Sequence, residues 1–282
     1  AGTRQRKKVL VLQPNRELVH QFVGVARGLC SCLRAADVPP ITVDNLCDTD
    51  PGTEPSFEAE IIAATPLSAV GHLIPEMAKN QQVWFDTIVL DESDYIMNAL
   101  RHEIEQIFPL VNGDPELGES NPQYVLVGAT LPGYTTEGAE NVRMTILEKW
   151  PHATWIRTKG LHQVSKALEQ EFHMVSAKTR WFKLTEVAKD ISEQNGSRTL
   201  VFALTRELAE QVMAALKKEG YDAAVYHKKM QGDHVRALED FNAGKVPILV
   251  SSPAASRGID FKGVTHVVCF DFPQNAVEYL HC

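Results

Sequence analysis

Ten short apolar runs recur along the chain, at residues 8–13, 40–43, 60–65, 87–91, 124–129, 170–175, 199–203, 222–226, 247–251 and 265–270. Most are continuous rather than alternating, the mark of strands buried on both faces of a sheet. Amphipathic stretches lie between many of them, at 16–29, 206–219 and 235–244 for example. Continuous strands alternating with helices predict parallel sheets covered on both faces, so the fold class is α/β. A chain of 282 residues has room for roughly two such domains.

An internal echo points the same way. The segment Leu10-Val11-Leu12-Gln13-Pro14-Asn15-Arg16-Glu17-Leu18 resembles Leu200-Val201-Phe202-Ala203-Leu204-Thr205-Arg206-Glu207-Leu208, at an offset of 190 residues. Each reads as a buried strand, then Asn15 or Thr205 as a helix N-cap, then a helix with Arg-Glu-Leu in its first turn. A shared tripeptide after similar strands fits a duplicated strand–helix unit or coincidence. Trp150-Pro151 closes the first unit and Thr158-Lys159-Gly160 reads as a loop. The expected division is a first domain over 1–157, a linker over 158–168 and a second domain over 169–282.

Charge is unevenly spread. Residues 1–160 carry 13 Lys and Arg against 21 Asp and Glu, while residues 161–282 carry 15 of each. Acidity in the first half argues against a broad basic surface, so any nucleic acid must be met in a local cleft. No apolar stretch reaches the ~18 residues of a spanning helix, and no membrane association is expected. Five cysteines without a CxxC pair argue against a disulfide framework or zinc site and fit a reducing compartment. The first residues lack Met and a signal region, and both ends read as cut. The four tryptophans are read as packing residues, since none falls in a candidate nucleic-acid motif.

Three constellations can carry chemistry. Residues 87–92 form an apolar strand ending in Asp91 and Glu92. In a parallel α/β sheet, ligands bind beyond the carboxyl ends of the strands. There Asp91 can hold Mg²⁺ through water, and Glu92 can orient or deprotonate an attacking water. Taken alone, the same residues also fit a strand leading into a polar loop. Asp94 can reach the hydroxyl of Thr130, at the end of the next strand after the small residues Gly128 and Ala129. The third constellation is the turn 251–260, where Ser251, Ser252, Ser256, Arg257, Gly258 and Asp260 suit contact with phosphate and ribose. On its own that turn also reads as a solvated loop with an Arg–Asp pair.

Taken in order, Pro14-Asn15-Arg16-Glu17-Leu18, Thr65-Pro66, Asp91-Glu92-Ser93-Asp94, Gly128-Ala129-Thr130, Leu200-Val201-Phe202, Ser256-Arg257-Gly258-Ile259-Asp260 and Tyr279-Leu280-His281 resemble the motifs of the DEAD-box RNA helicases. The resemblance covers nearly the whole chain. It implies two RecA-like domains, ATP and Mg²⁺ as cofactors, and RNA bound through its backbone with little sequence preference. It assigns RNA contact to Pro14, Asn15, Arg16, Glu17, Thr65, Pro66, Ser252, Arg257 and Gly258. Asp91, Glu92, Asp94 and Thr130 become the catalytic group, with Asp91 the Mg²⁺ anchor. Asp260 would touch the nucleotide ribose, and Gly128, Ala129, Thr130 and His281 would couple hydrolysis to strand separation.

The departures from the family pattern are specific. Ser93 stands for the usual Ala, Gly128 for the usual Ser of Ser-Ala-Thr, Leu67-Ser68 for Gly-Arg, and His234 for an arginine three residues after Gln231. An acidic stretch at 44–60 replaces a Gly-Gly turn, and the loop 112–122 is extended; these two are the expected docking points for partner proteins. The phosphate-cradling Gly-Lys-Thr would lie upstream of Lys8 and the arginine fingers beyond Cys282. Residues 1–282 by themselves are therefore expected not to turn over ATP. Gly128 together with Lys159-Gly160-Leu161-His162 resembles divergent mitochondrial members that assist large-subunit assembly of the mitochondrial ribosome. That narrower resemblance implies ribosomal RNA and ribonucleoprotein assembly proteins as partners and a mitochondrial location, with cytoplasm or nucleus as the alternatives. A rival reading is a non-catalytic, helicase-derived scaffold binding RNA and ribosomal proteins in an assembly particle.

Overall fold

The computed structural model describes residues 7–32, 40–48, 57–78, 83–112, 121–130, 142–158, 164–194, 196–227, 233–273 and 276–282. The chain divides into two units, Ala1–Thr158 and Lys159–Cys282. The first contains β1 (Val9–Leu12), α1 (Arg16–Cys32), β2 (Val43–Asn45), β3 (Ile61–Ala64), α2 (Pro66–Ala78), β4 (Thr87–Leu90), α3 (Ser93–Ala99), α4 (Arg101–Val111), β5 (Gln123–Leu126) and α5 (Val142–Lys149). Its five strands are all parallel, in the order β2-β3-β1-β4-β5. The second contains α6 (Thr179–Ser192), β6 (Thr199–Phe202), α7 (Arg206–Lys218), β7 (Ala223–Tyr226), α8 (Asp233–Asn242), β8 (Ile248–Ser251), α9 (Pro253–Ser256), β9 (His266–Cys269) and α10 (Ala276–Leu280). Its four strands are also parallel, in the order β7-β8-β6-β9.

Both faces are covered at the central strands, which is why β1, β3, β6 and β8 are almost wholly buried, whereas β5 and β9 at the sheet edges expose Val125 and Val267. Along β1, Leu10 and Leu12 join one core with Ile62, Ile88 and Leu90, while Val11 joins Val19, Val23 and Ala63 on the other side. Along β6, Leu200 and Phe202 pack with Tyr226 and Phe241, and Val201 packs with Val212 and Leu216 opposite. Trp150 and Trp155 pack against the first core and Trp181 against the second, whereas Trp84 is 42% exposed and is not a core residue.

The echo in sequence corresponds to an echo in topology. β1 lies between β3 and β4 as β6 lies between β8 and β9. Asn15 Oδ1 accepts from Leu18 N at 2.8 Å and Thr205 Oγ1 accepts from Leu208 N at 3.2 Å, so both cap the helix that follows. The same central strand, capped turn and helix occur twice, 190 residues apart.

Three apolar runs are placed differently from expectation. Residues 170–175 form no strand; Phe172, Met174 and Val175 are exposed, and the Phe172 ring instead meets Phe272 and Tyr279. The run has strand-like residues, but no backbone ladder among the described residues accepts it. The second strand begins at Val43 rather than Pro40, because proline has no N–H to give a ladder. The fifth strand ends at Leu126, and residues 127–130 turn away to the site described below. The expected docking segments 44–60 and 112–122 fall in large part outside the described residues, as do Lys159-Gly160-Leu161-His162 and Gln231.

Candidate active site and nucleic-acid-binding edge

Parallel register decides which residues meet. Leu12 pairs with Ala64 and Leu90, and Leu90 with Leu126, so all four strands end level. The residues that follow (Gln13 to Asn15, Thr65, Asp91 to Asp94, and Val127 to Thr130) emerge along one edge, the carboxyl edge where α/β sheets bind ligands.

At the centre of that edge, Asp91 is fixed from two sides. Its Oδ2 accepts from Gln13 Nε2 at 2.9 Å and its Oδ1 from Glu92 N at 3.0 Å. Glu92 has φ 51° and ψ 47°, the left-handed region, and no other non-glycine described residue has positive φ. Such conformations are costly for side-chain-bearing residues and gather at functional sites. Glu92 precedes α3, and this turn sends Ser93 and Asp94 inward: both are buried. There Thr130 Oγ1 donates to Asp94 Oδ2 at 2.8 Å, with both residues almost wholly enclosed. The end of β5 is joined a second time through Ser93 N, which donates to the Val127 carbonyl at 2.8 Å.

A buried hydrogen bond to a charged group contributes about 1.5–3 kcal/mol. Thr130→Val keeps the shape and removes the donor, so it is expected to lower the stability of the first domain by about 1–3 kcal/mol. Thermal unfolding checks this, at roughly 2–4 °C per kcal/mol for a domain of this size. A melting temperature unchanged to within about 1 °C would show that the bond contributes nothing.

Other predicted contact residues lie on the same edge but differ in what they present. Pro14 and Asn15 are buried and the Asn15 side chain is engaged in capping, whereas Arg16 is exposed and Glu17 half-buried. Thr65 caps α2 through Ser68 N at 3.2 Å, and Pro66 is buried. Ser68 Oγ turns inward to the Leu46 carbonyl at 2.8 Å, and Leu67 is left 71% exposed on the edge. Ala129 is exposed beside half-buried Gly128.

In the second unit Phe202 pairs with Ser251 and Cys269, so the ends of β6, β8 and β9 are likewise level. Ser252 stands at the amino end of α9 with half-buried Arg257 just past its other end; Gly258 has φ 71° and is exposed, as is Asp260. Positive φ at 258 is what requires glycine there. His281 follows α10 and is half-buried. His227, buried at the end of β7, lies 3.0 Å from Glu210 Oε1, which Arg206 Nε also reaches at 3.0 Å. The hydrogen bond from Arg206, helped by the charges of Arg206 and His227, holds the Glu210 carboxyl below its ordinary value.

Two residues, one at the carboxyl edge of each sheet, are not evident in the sequence. Gln13 is one, buried and bonded to Asp91. Asp271 is the other: its Oδ1 lies 2.7 Å from Arg180 Nη1 and its Oδ2 accepts from Leu204 N at 3.2 Å. It ties the end of β9 to the turn after β6 and to α6. A carboxylate just past an apolar strand, as at Asp91, is the signal that would have found it. A cavity of about 140 Å³ lined by Leu184, Ala188, Thr199, Leu216, Pro247 and Ile248 opens at the opposite, amino edge of the second sheet and contains none of these groups.

The match to known families is decided by both units. Residues 2–137 match the DEAD/DEAH box helicase model and residues 182–282 match the helicase conserved C-terminal domain. Together these two helicase domains account for most of the chain. Among curated relatives it is 28% identical to "DEAD-box ATP-dependent RNA helicase 14" of Arabidopsis thaliana, over 99% of this chain and 42% of that protein. It is also 28% identical to "ATP-dependent RNA helicase DBP2" of Scheffersomyces stipitis, over 97% of this chain and 49% of that protein. The chain thus spans about half the length of the curated relatives it matches. Its fold is similar to that of Saccharomyces cerevisiae Dbp5 bound to RNA and ADP BeF3, with a TM-score of 0.76 and 22% identity over 98% of this chain and 66% of that one. The DEAD-box helicase Mss116 bound to ssRNA and UDP-BeF gives a TM-score of 0.69 at 19% identity, covering 98% of this chain and 56% of that one. Both units therefore have the RecA-like fold.

The resemblance to these helicases implies a divalent cation, and the donor set fits one. Mg²⁺ is commonly held by one or two carboxylates together with waters and phosphate oxygens. Each Asp91 oxygen accepts one hydrogen bond and keeps a further lone pair for a metal-bound water. Among the described residues no group of three or more His, Cys, Asp or Glu forms a protein cage for a metal. No helix among them is long and apolar enough to cross a membrane.

Proposed function

We propose that the protein is an ATP-dependent RNA helicase that remodels RNA or RNA–protein complexes, and that these residues supply its core. The observation that carries this reading is the buried Thr130–Asp94 bond beside Asp91 and Glu92. It makes the carboxylates and the end of the neighbouring strand one mechanical unit. Bound ATP with Mg²⁺ would supply the scissile phosphate and its charge neutralisation. Asp91, oriented by Gln13, would anchor the metal through water. Glu92, projected by its left-handed turn, would orient the attacking water and take its proton. Thr130 and Asp94 would pass the resulting movement to the end of β5. Arg16, Thr65, Ser252, Arg257 and Gly258 would meet the RNA backbone, and Asp260 the ribose.

The finer reading places the protein in assembly of the mitochondrial ribosome's large subunit, acting on ribosomal RNA with assembly proteins. Gly128 and the acidic first half support it, since an acidic domain repels RNA away from its binding edge and favours attachment through protein contacts. The scaffold alternative is not favoured, because a scaffold has no use for the strained Glu92 turn.

The test is ATP hydrolysis by the full-length protein with and without single-stranded RNA. Turnover is expected to rise with RNA, and unrelated strands of equal length should stimulate it to within a few-fold, because backbone contacts carry no base information. Absence of RNA stimulation would overturn the helicase reading. A preference of about a hundredfold for one sequence would overturn the backbone-only assignment.

A further inference from the structure

Cys269 is the last residue of β9, and Cys282 stands two positions beyond α10. They are 13 residues apart in the sequence, with nothing in their spacing to link them. In the structure both half-buried side chains pack against one core cluster, that of Leu200, Phe202 and Ala255. The turn after α10 brings Cys282 there: His281 N donates to the Glu278 carbonyl at 3.1 Å and Cys282 N to the Tyr279 carbonyl at 3.3 Å. At that place the Cys282 thiol donates a hydrogen bond to the Cys269 sulfur.

The bond makes the two sulfurs unequal. Cys269 receives it, which holds that thiol below its ordinary value against the opposite pull of burial. The same bond, with burial and the charges of Cys269 and Glu278, holds the Cys282 thiol above its ordinary value, and the charge of Arg257 opposes this. Thiol exchange begins with a thiolate, so Cys269 is suited to attack and Cys282 to resolve. Intracellular disulfides are usually transient and redox-sensing rather than structural. A contacting pair of free thiols in a chain whose five cysteines build no framework fits that use.

We propose that Cys269 and Cys282 form a redox-sensitive pair that closes to a disulfide on reaction with a low-molecular-weight disulfide such as oxidised glutathione. The Cys269 thiol loses its proton to solvent, and its thiolate attacks one glutathione sulfur. An S–S bond to Cys269 forms, the glutathione S–S bond breaks, and one glutathione thiolate leaves. That thiolate takes the Cys282 proton. The Cys282 sulfur then attacks Cys269, expelling the second glutathione, which takes a proton from solvent. Two protein thiols give up two electrons, and one glutathione disulfide becomes two thiols. The sulfurs must close from hydrogen-bond contact to about 2.05 Å, so the turn after α10 is drawn onto the end of β9. On the helicase reading, which only this consequence needs, closure restrains Tyr279-Leu280-His281 and lowers RNA-stimulated turnover.

The experiment equilibrates the full-length protein in buffers of varied reduced-to-oxidised glutathione ratio. Free thiols are then alkylated and the peptides mapped by mass spectrometry, with RNA-stimulated ATP turnover measured on the same samples. In oxidising buffer the peptides carrying Cys269 and Cys282 are expected to be joined in most molecules, and reduced glutathione should separate them. Cys282→Ser should accumulate a glutathione adduct on Cys269, while Cys269→Ser should leave Cys282 free to alkylate. Cys32, exposed on α1, reports that oxidant has reacted. Turnover of the parent should fall several-fold as the disulfide forms and return on reduction. Both serine variants should lack that reversible loss. Free thiols at 269 and 282 while Cys32 carries an adduct, or an adduct that persists on Cys269 of the parent, would overturn the pair. A disulfide that forms with turnover unchanged would overturn its control of activity. Should the parent show no RNA-stimulated turnover, the helicase reading fails and the peptide map alone decides the pair.

Discussion

Glu92→Gln in the full-length protein is expected to reduce RNA-stimulated ATP turnover by about 10²–10⁴-fold, the usual contribution of a positioned proton acceptor. The substitution keeps size, shape and the left-handed turn, with φ 51° and ψ 47° at this residue. It removes only the capacity to take a proton from water. Asp91 keeps its Gln13 bond and Asp94 its Thr130 bond, so nucleotide and RNA binding should survive. The measurement is steady-state hydrolysis alongside binding of a labelled nucleotide analogue and of RNA. A loss below about tenfold with binding intact would remove Glu92 from the chemical step and leave its strained backbone without explanation.

Ile88→Ala is expected to have its large effect on stability instead. Ile88 is fully buried on β4, in the core cluster that holds Leu10, Leu12 and Leu90. Removing a large aliphatic side chain at such a site costs about 2–5 kcal/mol, because the surrounding core cannot fully collapse into the space. For a domain of this length that corresponds to a drop of roughly 5–15 °C in melting temperature. Ile88 touches no reacting group, so hydrolysis per folded molecule should persist well below the new transition. A variant that melts like the parent would mean that the core around β4 is loosely packed. One that melts lower and is also inactive when cold would mean that Ile88 sets the position of Asp91.

Stability and chemistry separate in this way because they were written into the chain differently. The strands were legible where apolar runs are continuous: β1, β3, β4, β6 and β8 fall within the expected spans. Helix starts at Asn15 and Thr205 were legible because capping is local, a side-chain oxygen meeting an N–H three residues on. α2 and α4 were harder to read, since each contains a proline, Pro75 and Pro109, that a local reading takes as a break. Residues 170–175 misled in the other direction, because a strand-like run forms a strand only if a neighbouring backbone is there to pair with it.

By itself the sequence determined two parallel α/β units, the order of their motifs, and the carboxylates and hydroxyls placed at the strand ends. Those features depend on residue type and on spacing within a few positions, and both are written linearly. Only the tertiary structure decided which of these groups meet. Gln13 reaches Asp91 across 78 residues of chain, Thr130 reaches Asp94 across 36, and Asp271 reaches Leu204 across 67. Their meeting depends on strand register, and a shift of one residue in a parallel pair would turn every one of these side chains to the other face. The same holds for Ser93 and Gly128. In the sequence they are two separate departures from the family pattern, the one at Ser93 mild and the one at Gly128 the loss of a hydroxyl. They come into contact because the end of β5 is bonded to the first turn of α3 through Ser93 N and the Val127 carbonyl.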